Sequence, residues 1–260
     1  MPKSFNQKLK ILYLMQAFME RTDREHPMSV PDFILYLEGY GISVERKTVY
    51  EDIETLRIFG MKIENRRERP SGYYLADREF SFPELKILMD AVQSSRFITE
   101  RQSRELVRKL EHLTSISEAK RLQNQTSVLS GSKAVNREIY DSIQKICDAM
   151  ADNRQICFNY YEWDFSRELK PKRDGARYRV SPWKMIWNNE NYYLIGLDER
   201  NGIVKHYRVD KIMHVSIESQ KRKGEDIFRN FDFPKYVSGT FGMFGGKEQT
   251  VKMEFENHFV

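Results

Sequence analysis

The chain has 260 residues, room for one large or two ordinary domains, and two domains with a connector is the expected plan. With 40% hydrophobic and 31% charged residues, the composition argues against both a disordered chain and a membrane-embedded one. A formal net charge of +5 fits a polyanionic partner, while two cysteines are too few for a disulfide framework or a cysteine-based zinc site. Cys147 and Cys157 are therefore expected to be buried free thiols. No apolar run approaches the roughly 20 residues of a bilayer span, and Met1-Pro2-Lys3 opens no signal peptide, so a cytoplasmic protein is expected.

Residues 5–20 repeat apolar side chains at helical spacing, with Phe5, Leu9, Leu12 and Phe18 as the expected buried stripe. Ser29, Pro31 and Asp32 make a cap-like opening for a second helix over Val30–Glu38, stopped by Gly39 and Gly41. Residues 45–59 place Val49, Ile53 and Leu56 on one face of a third helix that ends at Gly60. Two short strands, 61–64 and 73–75, then flank a basic turn. Three helices followed by a hairpin is the order of a winged helix-turn-helix, assigned to residues 1–78.

Residues 79–132 read as a helical connector, with helices at 82–97 and 100–113 and a polar loop from Gln123 to Ser132. A longer helix is expected over 133–152, with Ile139, Ile143, Ile146 and Met150 inward. Beyond 154 the period changes to two, with turns at Asp174-Gly175, Asn188-Asn189 and Asn201-Gly202, which predicts a small β-barrel or strongly bent sheet. Residues 133–246 are read as a sensing domain, and the alternation at 251–256 as the first strand of an incomplete C-terminal extension over 247–260. The fold class is thus α+β.

In a recognition helix the N-terminal residues meet base edges and phosphates while the opposite face packs inward. Arg46, Lys47, Thr48 and Tyr50 fit that placement, and Arg66, Arg67 and Arg69 cluster where a wing would touch the backbone or minor groove. Taken alone, a basic pair such as Arg46 and Lys47 equally fits a solvated helix surface. The run Arg46-Lys47-Thr48-Val49-Tyr50-Glu51-Asp52-Ile53-Glu54-Thr55-Leu56, followed by Gly60, resembles the third helix of DeoR-type winged-helix regulators. Thr48, Asp52, Leu56 and Gly60 match that pattern, with Asp52 read as a structural anchor.

In the second half, alternation puts His206 and Arg208 on one sheet face and Tyr207 and Val209 on the other. Arg167, Lys170, Lys172, Arg173, Arg177, Arg179 and Lys184 face only Glu168 and Asp174 in that stretch, which suits an anionic ligand. Phe158-Asn159-Tyr160, residues 178–183, residues 191–196 and residues 206–212 together resemble the WYL domain, an effector-binding module often joined to winged helices. Tyr192 stands where that family usually has Trp. The candidate ligand residues are Tyr160, Arg179, Ser181, Tyr193, His206 and Arg208; Arg179 and Arg208 fit internal ion pairs equally well, and Tyr193 and Trp183 fit the core.

The resulting expectation is a homodimeric bacterial transcription regulator that binds a double-stranded operator and responds to a nucleotide or short nucleic acid. It calls for no cofactor, metal or membrane. An enzyme is disfavoured: the five histidines form no cluster, no nucleophile elbow occurs, and the glycine-rich run at 238–246 does not match a phosphate loop. The alternative is an adaptor or nucleic-acid-associated defence accessory whose β-rich domain binds protein or single strands; an exposed apolar patch on that domain would favour it.

Overall fold

The computed structural model describes residues 7–125, 133–165, 168–238 and Lys252. The chain is a mixed α+β protein of two compact units, one of residues 1–95 and 100–132, the other of 133–260 together with Arg96–Thr99.

In the first unit a 3-10 turn, Gln7–Leu9, leads into α1 (Lys10–Arg21), which buries Leu14, Ala17 and Phe18. Of the expected stripe only Phe18 is buried; Leu9 and Leu12 are exposed, and Phe5 lies outside the described residues. Apolar residues surround this helix, Ile11, Leu12, Leu14, Met15 and Ala17 among them, so periodicity predicts a helix without choosing its inner face. The start of α2 (Val30–Glu38) is a reciprocal capping box, the Ser29 hydroxyl accepting from the Asp32 amide and the Asp32 carboxylate from the Ser29 amide. Along α3 (Arg46–Phe59), Val49, Ile53 and Leu56 face inward, and Gly60 ends the helix at φ 112°, where a side chain would be strained.

The hairpin β1 (Ile63–Arg66) and β2 (Gly72–Leu75) pairs antiparallel, Ile63 opposite Leu75, and Met28 bridges Tyr73. Phe18 and Phe33, with ring centroids 4.6 Å apart, join Val49, Ile53, Leu56 and Ile63 in one core. Lys10 and Asp52 form an ion pair at 2.8 Å between α1 and α3, the anchoring role read for Asp52.

The same unit contains α4 (Phe82–Ser94), α5 (Glu100–Glu111) and α6 (Ile116–Gln125), packed around Leu85, Met89, Val107 and Leu122. α6 was not foreseen. It buries little more than Ala119 and Leu122, too short a stripe to stand out in a polar stretch. Polar contacts from the turn before α6 and from the segment ahead of α4 reach the end of α1 and the turn after it. The Ser115 hydroxyl donates to buried Asp23 at 2.5 Å, and Arg78 donates to the Thr22 carbonyl at 2.7 Å.

In the second unit α7 (Ile139–Ala151) is shorter than expected, and the turn before it is held by buried Asn136, whose amide donates to the Asp210 and Ile212 carbonyls. Ile139 and Ile146 are fully buried; Ile143 and Met150 are half-buried. The helix lies on a curled antiparallel sheet in the order β4-β3-β5-β6-β7, with β8 on the other side of β3. The strands are β3 (Arg154–Trp163), β4 (Leu169–Pro171), β5 (Tyr178–Asn188), β6 (Asn191–Asp198), β7 (Ile203–Arg208) and β8 (Ile212–Lys221). β3 pairs with β5 and β8 through its first half and with β4 through its second, which bends the sheet into an open half-barrel. Asn189 and Glu190, at φ 45° and 60°, make the two-residue turn joining β5 to β6, a mirror-image geometry that suits the twist of the strands.

The short helices α8 (Glu225–Phe228) and α9 (Phe233–Ser238) follow the sheet. Cys157 is buried, but Cys147 is exposed on α7, on the face away from Ile139 and Ile146. The loop centre Ser130-Gly131-Ser132, Arg167, the glycine-rich run after 238 and, apart from Lys252, the strand expected at 251–256 lie outside the described residues.

Candidate functional site

Two surfaces collect the residues singled out by sequence. On the first unit, Arg46, Lys47 and Tyr50 are exposed on the first two turns of α3, and Thr48 is half-buried beside them. Lys47 reaches Glu51 at a distant 4.0 Å. Tyr50 meets Tyr73 of β2 edge-on at 6.3 Å between centroids, so the helix and the hairpin touch through two phenol rings. Arg57 supports the junction from behind, its guanidinium 5.7 Å from the Tyr73 centroid and donating to the Ile63 carbonyl at 2.9 Å. Arg67 and Arg69 project from the hairpin turn into solvent. Arg66 is placed differently: it donates to the Arg24 carbonyl at 2.7 Å and lies 3.6 Å from Glu25, bracing the hairpin against the turn between α1 and α2.

On the second unit four of the six ligand candidates converge. Tyr193 on β6 is paired with Arg208 on β7, His206 stands two residues away on the same face, and the Tyr193 and His206 rings lie 6.2 Å apart. The Tyr160 hydroxyl accepts from the Arg208 amide at 3.2 Å. Burial pushes the Tyr160 phenol up to about 12, so it stays a neutral donor and acceptor. Tyr160 also belongs to a ring cluster with Phe158, Tyr178 and Tyr207, centroids 5.5 to 6.4 Å from its own. Tyr207 and Val209 are buried as the alternation predicts.

The other two candidates sit apart from this group. Arg179 on β5 lies 3.8 Å from Glu218 on β8, across the intervening β3. Ser181 is fully buried, donating to Glu199 at 2.7 Å and accepting from the Lys223 amide at 2.9 Å. Both of its hydrogen-bonding roles are thus taken by the protein.

Arg208 makes a two-pronged pair with Asp210, at 3.0 and 2.7 Å. Burial works against its charge, but the hydrogen-bonded carboxylate outweighs it and holds the guanidinium above its ordinary pKa. Lys211 next to it is shifted down, by burial and then by the repulsion of Arg208. Two cations thus stand close together beside the Asp210 carboxylate.

Residues 141–217, the stretch that holds this cluster, match the family profile of the WYL domain. This stretch is a WYL domain. Its name-giving tryptophan position is filled by Tyr192, whose ring meets Trp187 at 4.7 Å and Phe97 at 5.3 Å. Phe97, from the four-residue segment between α4 and α5, is buried with its ring against Trp187 and Tyr192 of the sheet, a contact that sequence reading did not foresee. Among solved structures the chain is similar to "Proteasome accessory factor B/C (PafBC) of Arthrobacter aurescens", at TM-score 0.29 and 17% identity over 86% of this chain and 35% of that one. The chain spans about a third of that protein's length. Among curated proteins none matches.

The basic run of the WYL domain is met by carboxylates brought in from other strands. Lys170 pairs with Asp164 at 2.6 Å, Lys172 with Glu162 at 2.8 Å, and Arg177 donates to the Cys157 and His214 carbonyls. Arg173 lies over the Tyr178 ring at 4.2 Å and 3.9 Å from buried Asp198, which also takes Lys205 at 2.5 Å and the Tyr207 hydroxyl at 3.1 Å. The positive surface is therefore narrower than the sequence alone implies. Among the described residues no group of three or more His, Cys, Asp or Glu could hold a metal ion, and no helix is long and apolar enough to cross a membrane.

Proposed function

We propose that the chain is a cytoplasmic, homodimeric transcription regulator with a winged helix-turn-helix at residues 1–78 and a WYL sensor of the small Sm/SH3-like barrel type. In this reading α3 is the recognition helix and β1-β2 the wing. Arg46, Lys47, Thr48 and Tyr50 enter the major groove, Arg67 and Arg69 reach the backbone or minor groove, and Arg66 holds the wing in place. The observation that carries the reading is the Tyr50–Tyr73 contact, which sets a basic helix end and a basic hairpin in one frame.

Tyr160, Tyr193, His206 and Arg208 form the effector face, and Ser181 and Arg179 stand outside it. The effector is an anion, a nucleotide or short single strand, to which Arg208 offers the guanidinium N–H groups that Asp210 leaves open and the rings a stacking surface. The protein performs no catalysis and needs no cofactor.

Fluorescence anisotropy on the promoter of the chain's own operon tests the first half. Replacing Arg46 and Lys47 with Ala should weaken binding at least about ten-fold and flatten the salt dependence by about 0.9 for each phosphate contact removed. Unchanged affinity in a folded double variant would sink the recognition-helix assignment. Arg208→Ala should keep basal DNA binding and abolish the effector response.

A second reading rests on the hairpin between β3 and β4, where Trp163 is half-exposed and Phe165 fully exposed. Such an apolar tip suits an adaptor that docks a protein. Retention of a partner by the wild-type chain and its loss in Phe165→Ser, with DNA affinity absent in both, would favour that role.

A further inference from the structure

We propose that residues 225–238 form a gate over the effector face, latched by Tyr236 on His206 and displaced when the ligand binds. The proposal rests on the assignment of Tyr193, His206 and Arg208 as that face.

The segment is rooted beside β8 and reaches the effector face at its tip. At the root the chain leaves β8, and the Trp183 indole donates to the Lys223 carbonyl at 2.8 Å. Arg222 covers one face of Trp183 at 4.0 Å and Phe228 stacks on it at 4.9 Å. The Lys223 side chain adds an ion pair to Glu199 at 2.6 Å. From there Phe228, Phe231 and Phe233 run ring to ring, at 5.1 and 4.9 Å, over Ile195, Leu197 and Val204.

At the tip, half-buried Tyr236 places its hydroxyl 2.9 Å from Nδ1 of His206 and its ring 5.9 Å from the imidazole, while the same ring meets Phe231 at 5.3 Å. His206 is the neighbour of Arg208 on that sheet face, and its ring is the one that meets Tyr193. Tyr236 thus makes the two contacts, one hydrogen bond and one ring contact, that an incoming base would make on His206. Ligand and latch compete for the same atom, so occupation of one excludes the other and shifts the segment between closed and open populations. The latch hydrogen bond is of ordinary neutral strength, about 1 kcal/mol or roughly five-fold in equilibrium. A ligand that takes His206 must displace this bond together with the packing of Tyr236 on Phe231.

The test uses the full 260-residue chain and a labelled oligothymidylate of about ten nucleotides as probe. Tyr236→Phe keeps the ring and removes the hydroxyl. It should raise probe affinity about five-fold and speed amide exchange in 225–238 by a similar factor. In the wild-type chain the probe should speed exchange in 225–238 while slowing it around Tyr193 and Arg208. Slower exchange in 225–238 with the probe bound would overturn the gate and make the segment a wall of the site. A Tyr236→Phe chain with unchanged affinity and exchange, beside a wild type that binds, would overturn the gate alone. A wild-type chain that does not bind the probe, or an Arg208→Ala chain that binds as well as wild type, would overturn the effector face and the gate with it.

Discussion

Ser115→Ala removes two interactions at one atom. The hydroxyl donates to Asp23 at 2.5 Å and accepts from the Glu118 amide at 3.1 Å, so it joins the turn between α1 and α2 to the start of α6 and caps that helix. Loss of an N-cap costs about 1 kcal/mol. Loss of a buried hydrogen bond to a carboxylate costs about 1.5 to 3 kcal/mol. Asp23 keeps the His26 ring and the amides of Glu25 and His26, so the lower end applies, and the sum is about 2 to 3 kcal/mol at neutral pH.

With a urea slope of about 2 kcal/mol per molar, the midpoint by far-UV circular dichroism should fall by about 1 M. Acid adds a second check. Burial alone would raise the Asp23 carboxyl, but the Ser115 and His26 hydrogen bonds hold it below its ordinary value. A depressed carboxyl stabilises above the unfolded pKa, about 3.9, and that stability is lost as pH falls through the folded value. Below that window the gap between wild type and variant should shrink to the capping part, about 1 kcal/mol. No gap at pH 7, or the same gap in acid, would refute this account of the junction.

Phe97→Ala should cost about 2 to 3 kcal/mol in urea unfolding, below the full cost of a buried Phe because its partner Trp187 is half-exposed. A loss under about 0.5 kcal/mol would mean that Arg96–Thr99 is not anchored in the second unit. Asp198→Asn should destabilise by about 1 to 3 kcal/mol at pH 7, since Lys205, Tyr207 and the Arg200 amide lose a charged acceptor. Burial opposes that charge and the hydrogen bonds from Lys205 and its neighbours win, so the carboxyl sits below its ordinary value. The difference should fade as pH drops below about 4. A pH-independent difference would assign the effect to packing alone.

How much could be read from the sequence depended on how local each signal is. The bounds of α2 were legible because Ser29, Pro31 and Asp32 settle its start within four residues. The inner face of α3 was legible because up to Arg57 its other faces are polar apart from Tyr50, the exposed Ile58 and Phe59 coming only at its end. The inner face of α1 was not, since apolar residues surround that helix and only Phe33, Val49 and Ile53 of other helices select Leu14, Ala17 and Phe18. On β7, alternation separated His206 and Arg208 from Tyr207 without showing what each would meet.

The partners come from elsewhere in the chain. Tyr236 follows His206 by 30 residues, and Glu25 precedes Arg66 by 41. The aromatic spacing of Phe228, Phe231, Phe233 and Tyr236 was the available sign of the segment over the sheet. The basic run from 170 to 184 looked unopposed because its counter-charges Glu162, Asp198 and Glu218 lie on neighbouring strands.

The placement of the tryptophans has a practical consequence. All three, Trp163, Trp183 and Trp187, lie in the second unit, so the intrinsic emission of the unlabelled chain is a private channel for that half. Within it Trp183 is held between a guanidinium and a phenyl ring, whereas Trp187 is half in solvent beside Phe97. An opening at Phe228 would alter the spectrum of the first indole, and a change at Phe97 that of the second. Single-tryptophan variants would therefore let the chain announce by colour which end of its sheet has moved.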